Sequence, residues 1–264
     1  MIEIKNVNHA FGKNTPQYLN LFQNLSLKID DGDFISVIGS NGAGKSTMLN
    51  MLAGAFFPDS GDILIDDKSI VRQKEYVRAK YIGRVFQDPK VGTCPDMSIR
   101  ENLSISYNKM KSFNLSRGVE RKNDERFKEQ LESFGMGLEN FIGTQTGLLS
   151  GGQRQALSLL MATITEPKLL LLDEHTAALD PVTSKTVMEK TKEIVESKGI
   201  TTLMVTHNLN YAIEYGNRLF LMHKGNVIVD VFGEDKKNLT KQKLLEIFTS
   251  SVPEDALSDV MAFG

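Results

Sequence analysis

Two glycine-rich stretches in this sequence are built like anion-reading helix starts. "GSNGAGKST", Gly39 to Thr47, fits G-x-x-x-x-G-K-[ST] with Gly39, Gly44, Lys45 and Ser46 in register. Such glycines let backbone N–H groups wrap phosphates, and the helix that follows adds a favourable dipole. Ser40, Asn41, Gly42 and Ala43 make the interior of the loop. Lys45 is expected to reach the β- and γ-phosphates, Ser46 to ligate Mg²⁺ and Thr47 to touch the α-phosphate. The second stretch, "LSGGQRQ" from Leu149, places Ser150, Gly151, Gly152 and Gln153 at the mouth of the apolar-periodic run "ALSLLMATI". Two glycines there cost backbone entropy, which makes sense if an anion must approach the backbone. Between them they raise a question, because one loop is enough to hold one nucleotide.

Acids and a histidine follow apolar runs. "KLLLLDEHTAALD" puts Asp173 at the end of a buried strand, where a carboxylate can hold Mg²⁺ through water. Glu174 comes next and is placed to polarise the water that attacks a γ-phosphate. His207 ends "TTLMVTH" and is expected at that phosphate. Strand ends then converge on one sheet edge, the usual ligand side of an α/β fold. His175 receives no catalytic role, and Cys94 is read as an inert small side chain.

The elements that must position these groups are legible as alternating strands and helices. "IEIKNV" and "LSLKID" alternate, and Asp31–Gly32 turns the chain into "DFISVIG", which ends in the first loop. A helix through "KSTMLNMLAG" closes at Gly54, and "DILIDD" is a further strand. From Ile99 to Ile164 the pattern is helical, and "RGVERKNDERFKEQLESFG" reads as a solvated helix. "KLLLLD", "TTLMVT", "RLFLM" and "VIVDV" return as strands, with a helix after Pro181. Apolar strands alternating with helices imply a buried, mainly parallel sheet carrying a helical insertion.

Bulk properties narrow the partners. The 264 residues are 41% hydrophobic and 24% charged, an ordinary globular composition, and the net charge of −2 argues against a nucleic-acid binder. One cysteine leaves no intrachain disulfide and fits a reducing compartment. The start "MIEIKNVNHAF" lacks the basic n-region and apolar core of a leader, and no apolar run approaches a bilayer span. The expectation is a soluble chain whose membrane role comes through a partner.

In order, the phosphate loop, "VFQDP" with Gln87, "LSGGQ", "LLLLDE", "AALD" with Asp180 and "THN" with His207 closely resemble the nucleotide-binding subunits of ABC transporters. The resemblance covers nearly the whole chain. It implies an α/β fold with a P-loop NTPase core, a mainly parallel sheet, an antiparallel β lobe and a helical insertion lobe. Residues 1–240 would be the ATPase domain, with the helical lobe at about 91–160, and 241–264 a C-terminal helix and tail. It implies ATP and Mg²⁺ as ligands, Gln87 as a Mg²⁺ ligand and sensor of the membrane partner, and Glu174 as general base. His207 would contact the γ-phosphate, and Asp180 would belong to the nucleotide-contacting set. The family's adenine-stacking aromatic falls at Phe11, where phenylalanine keeps the stacking face.

The same resemblance answers the question of two helix starts. Two copies would pack head to tail, the "LSGGQ" of each covering the ATP held by the other. ATP would clamp this homodimer and hydrolysis release it, on the cytoplasmic face of the membrane beside a transmembrane permease. An extracytoplasmic substrate-binding protein would act indirectly. No N-K-x-D guanine motif, long coiled-coil insertion or second cassette is present. A regulator of cell division or iron–sulfur assembly is the alternative from another class. The lone cassette, the segment "QDPKVGTCPDMSI" and the short C-terminal remainder favour a bacterial importer, most like the ATPase subunits of amino-acid uptake systems of tryptophan/tyrosine type.

Overall fold

The computed structural model describes residues 1–111 and 118–251, which divide into two compact units. The first comprises Met1–Arg78 and the chain from Thr201 onward; the second is Ala79–Ile200.

In the first unit, β1 (Ile2–Phe11), β2 (Leu19–Ile29), β4 (Ser60–Ile65) and β5 (Lys68–Ser69) form an antiparallel sheet in the order β2-β1-β4-β5. The turn expected at Asp31–Gly32 closes with Asp33 N–H donating to the Asp30 carbonyl at 3.1 Å. It delivers β3 (Phe34–Gly39), whose six residues are all buried. Such a continuous apolar run belongs in a parallel sheet, and β3 indeed pairs in parallel with β8 (Thr201–Val205) and β9 (Arg218–His223). β10 (Asn226–Phe232) adds antiparallel to β9. Arg218 fastens this edge through Asp230 (2.6 and 2.8 Å) and Asp33 (2.9 Å).

Helix α1 (Lys45–Ala53) leaves β3 through the glycine loop and ends, as expected, at Gly54, which holds φ 87°. The fully buried Arg78 closes α2 (Glu75–Arg78). Its guanidinium donates to the carbonyls of Met51 (2.8 Å), Leu52 (2.9 Å), Gln73 (2.9 Å) and Val71 (3.0 Å). The last carbonyls of a helix lack intrahelical partners and carry the negative end of its dipole, so a cation is well placed there. Short α7 (Leu209–Glu214) follows β8, and α8 (Gly233–Lys237) and α9 (Lys241–Ser251) follow β10. Leu244 and Phe248 of α9 enter one apolar cluster with Leu209, Ala212, Leu219 and Leu221. The tail expected beyond this helix, 252–264, lies outside the described residues.

The second unit pairs β6 (Ile82–Val85) in parallel with β7 (Leu169–Asp173). The sequence reading did not separate β6 as a strand. Its helices are α3 (Ile99–Asn108), α4 (Asp124–Glu132), α5 (Gly151–Thr163) and α6 (Pro181–Lys198). The stretch expected as a solvated helix is shorter and less solvated. A 3₁₀ turn at Arg121–Asn123 precedes α4, while Phe127 and Leu131 are fully buried and Phe134 nearly so. Apolar residues four and three apart make one stripe, which the surrounding charges mask in a bulk reading. Arg117, in that stretch, lies outside the described residues.

His175, just past β7, is buried, with Nε2 3.3 Å from Thr191 Oγ1. Thr191 donates its hydroxyl proton to the Val187 carbonyl, so the imidazole must donate from Nε2 and stays neutral. Burial pushes its pKa from 6.5 down to about 4. A histidine with a depressed folded-state pKa binds fewer protons folded than unfolded, so its contribution to stability is present above pH 6.5 and lost as pH falls toward 4. Between pH 7 and 5 this group alone should cost about 2 kcal/mol. Urea denaturation at both pH values should show a smaller loss for His175→Leu than for the wild type, whereas identical losses would exclude His175 as the source.

Candidate functional site

The first unit carries the phosphate-type loop and what surrounds it. Gly39 ends β3 with φ 150°, and an added Cβ there would lie 2.1 Å from the Met222 carbonyl oxygen of β9. That approach explains glycine here better than flexibility does. Gly44 occupies the N-cap of α1 at φ 99° in the left-handed region, with no side-chain cap, and a Cβ added there would lie 3.0 Å from the Phe22 ring of β2. The start of α1 is therefore not closed by an N-cap side chain, as suits an anion-binding start. Lys45 is buried, and its ammonium donates to the carbonyls of Gly39 (2.6 Å) and Ser40 (3.0 Å). Ala43 N–H reaches back to Ser40, and Gly225 N–H holds the Ala43 carbonyl at 2.9 Å, so the loop is anchored to the β9–β10 turn. Asn41, Gly42 and Ser46 are exposed and Thr47 is partly so.

His207 follows β8, which runs parallel to β3 with Val205 opposite Val37. Thr206 N–H donates to the Val37 carbonyl at 3.2 Å, so His207 and the loop leave neighbouring strands at the same end. Phe11 closes β1 half-exposed, in an aromatic group with His9 and Phe56. His9 stacks on Phe56 at 4.7 Å and meets Phe11 edge-on at 4.7 Å. Burial lowers the His9 pKa, and Asp59, 3.9 Å from Nδ1, opposes that shift. A neutral aromatic platform results.

The second unit carries the acids and the other glycine pair. Val85 and Leu172 are register partners on β6 and β7, so Gln87 and the Asp173–Glu174 pair emerge from the same end of two parallel strands. Asp173 and Glu174 are partly buried and Gln87 is exposed. Glu174 holds φ 47°, in the left-handed region. That conformation costs an L-residue about 1–2 kcal/mol, and nothing in the residue type announces it.

At the start of α5, Ser150 and Gln153 form a capping box: Ser150 Oγ accepts from Gln153 N–H (3.2 Å) and Gln153 Oε1 from Ser150 N–H (3.1 Å). The Ser150 hydroxyl proton remains available to an acceptor. The two glycines differ. A Cβ on Gly151 would meet nothing nearer than Leu179 at 3.8 Å, whereas one on Gly152 would meet Thr183 of α6 at 2.3 Å. Gly151 is therefore the exposed, approachable one, and Gly152 lets α5 and α6 pack. Buried Arg154, which sequence reasoning missed, pins the preceding turn by donating to Thr146 (3.1 Å) and Gly147 (2.9 Å) carbonyls. Asp180 caps α6, accepting from Val182 and Thr183 N–H at 3.1 and 3.0 Å, and hydrogen bonding to Thr183 lowers its pKa.

Each unit carries oxygen groups of the kind Mg²⁺ takes: the Ser46 hydroxyl in the first, and in the second the Asp173 carboxylate and the Gln87 amide at the same end of β6 and β7. Mg²⁺ needs few protein ligands when phosphates supply the rest.

A family model described as "ABC transporter" matches residues 22–177. A tyrosine transport ATP-binding protein of Clostridioides difficile is 48% identical over 96% of this chain and 100% of its own length. An ABC transporter ATP-binding protein of Bacillus subtilis is 31% identical over 94% of this chain and 93% of its own. Among solved structures, a dimeric ATP-binding cassette in a post-hydrolysis state with ADP and phosphate is similar at a TM-score of 0.76 and 29% identity, covering 88% of this chain and 98% of that one.

The glycine geometry predicts a contrast within one loop. Gly42, at φ 76° with nothing within 4 Å of an added Cβ, should bear alanine at about 1 kcal/mol. Gly39→Ala must in addition push β9 backbone, so its loss should exceed that of Gly42→Ala by at least about 1–2 kcal/mol. Chemical denaturation of the two variants measures the difference; equal losses would remove the Met222 contact as the reason for Gly39.

Proposed function

This chain belongs to the ABC transporter family as an ATP-binding cassette, an ATPase, and from that premise we propose that it powers a bacterial amino-acid importer for tyrosine or a related side chain. The observation that carries this reading is its end-to-end likeness to a relative named for tyrosine transport. Val91 and Met97 are exposed in the segment after Gln87, where the resemblance puts the permease contact, and they supply apolar surface for it. No helix among the described residues is long and apolar enough to cross a membrane, so the permease would hold the cassette at the cytoplasmic face. An extracytoplasmic binding protein would choose the substrate, which never touches this subunit.

ATP would be read as follows. Backbone N–H groups from Gly39 through Thr47 would cradle the phosphates, with Lys45 exchanging its loop carbonyls for β- and γ-phosphate oxygens. Phe11 would carry the adenine on a face stiffened by His9 and Phe56. Ser46, Gln87 and Asp173 would hold Mg²⁺, which supplies charge neutralisation at the phosphates when bound. Glu174 would take the proton of the attacking water, and His207 would contact the γ-phosphate. Ser150, Gly151, Gly152, Gln153 and Asp180 would face the nucleotide of a second copy. The exposed Gly151 and the free Ser150 hydroxyl proton support that outward role. Each charge-assisted hydrogen bond from this start would add about 1.5–3 kcal/mol, enough for ATP to clamp the homodimer.

Glu174→Gln keeps the shape but cannot accept a proton. Hydrolysis should fall by about 10²–10⁴-fold while ATP binding survives, and light scattering should show an ATP-stabilised dimer. Turnover at the wild-type rate would remove Glu174 from the mechanism. The dimer reading has its own test. Lys45→Ala and Gly151→Glu homodimers should each be inactive, but a mixed dimer joins one intact loop to one intact "LSGGQ". Single-turnover hydrolysis in tag-verified heterodimers should recover about one ATP per dimer. Recovery of none would overturn the head-to-tail arrangement.

A further inference from the structure

We propose that Arg84 is a positioning residue that supplies a built-in counter-charge to Asp173 and so sets how strongly nucleotide binding depends on a divalent cation. This rests on the reading of Asp173 as a Mg²⁺ ligand. The geometry is confined to the β6–β7 ladder. Arg84 sits opposite Leu171, and two residues further along each strand stand Phe86 and Asp173, returning to the same face. The guanidinium carbon lies 4.4 Å from the Phe86 ring centroid, and Nη2 lies 3.8 Å from Asp173 Oδ2. Both side chains are largely buried, at 14% and 16% exposure.

A planar guanidinium stacked on a ring is held in orientation as well as in place, which an ammonium would not be. The 3.8 Å separation is too long for a hydrogen bond, so this contact acts on the carboxylate by charge rather than through a shared proton. Partial burial strengthens that charge effect relative to a surface pair. Phe86 immediately precedes Gln87, so the same side chain ties the strand leading to Gln87 to the carboxylate of the neighbouring strand. Asp173 and Glu174 together would repel the phosphates of a metal-free nucleotide. Arg84 offsets part of that repulsion, and it competes with a cation for Asp173.

The test is affinity, read by anisotropy of a fluorescent ATP analogue on the full chain, in EDTA and across a Mg²⁺ titration. Arg84→Met should weaken binding in EDTA about two- to fivefold and lower the Mg²⁺ concentration at half-effect by a similar factor. Arg84→Lys, which keeps the charge and loses the planar stack, should shift the Mg²⁺ midpoint less than Arg84→Met does. Arg84→Gln replaces Arg84→Met should the latter fail to fold. In an Asp173→Asn background Arg84→Met should leave the Mg²⁺ midpoint unmoved. Equal behaviour of the Lys and Met variants, or a shift that persists without the Asp173 charge, would overturn the proposal and leave Arg84 a packing residue. A wild-type midpoint unchanged by Asp173→Asn would instead overturn the Mg²⁺ assignment beneath it.

Discussion

The first unit depends on one close approach: at Gly39 the backbone of β9 comes so near that no side chain fits. β3 can then stay paired along its length with β9 up to Met222 and still turn out of the sheet at its last residue. The loop that follows must be short and returns into a helix through a second glycine, Gly44, in the left-handed region. The start of α1 carries no N-cap side-chain bond, and the Lys45 ammonium is drawn back to the loop by two of its carbonyls. The shape of this loop is the outcome of a packing constraint before it is a matter of chemistry.

Beyond that constraint, this fold relies on cations seated on backbone carbonyls. Lys45 holds the phosphate-type loop, Arg78 the end of α1, and Arg154 the turn before α5. A charge-assisted bond to a carbonyl is stronger than a neutral one, and each of these cations satisfies carbonyls that helix ends and tight turns leave over. The loop and α1 are thus fixed at both ends, and the start of α5 is fixed from within its own unit.

Most of the framework is legible in the sequence because buried parallel strands read as apolar runs. "FISVIG", "LLLLD" and "TTLMV" needed no partner to be recognised, and the residues that follow them carry the candidate chemistry. β6 escaped notice because it is only four residues long and contains Arg84. The carbonyl-bound arginines were hidden for another reason: Arg78 meets Met51 across 27 positions of sequence, and such a contact leaves no periodic trace. The doublet Gly151–Gly152 was legible as one signal and turned out to be two, an exposed position and a helix-packing position. The left-handed backbone of Glu174 is likewise invisible, since glutamate is not a residue that advertises it.

The Gly152 contact has a mechanical side. With Thr183 set directly against Gly152, α5 and α6 lie close at their first turns, and those turns begin at the caps Ser150 and Asp180. A packed contact of this kind leaves little room, because glycine offers no side chain to move aside and a β-branched threonine is restricted at χ1. The caps Ser150 and Asp180 therefore stand beside one packed contact, and Asp180 is joined to the end of β7 by the short run Glu174–Asp180. The two helix starts share one contact, placed where a glycine has no side chain.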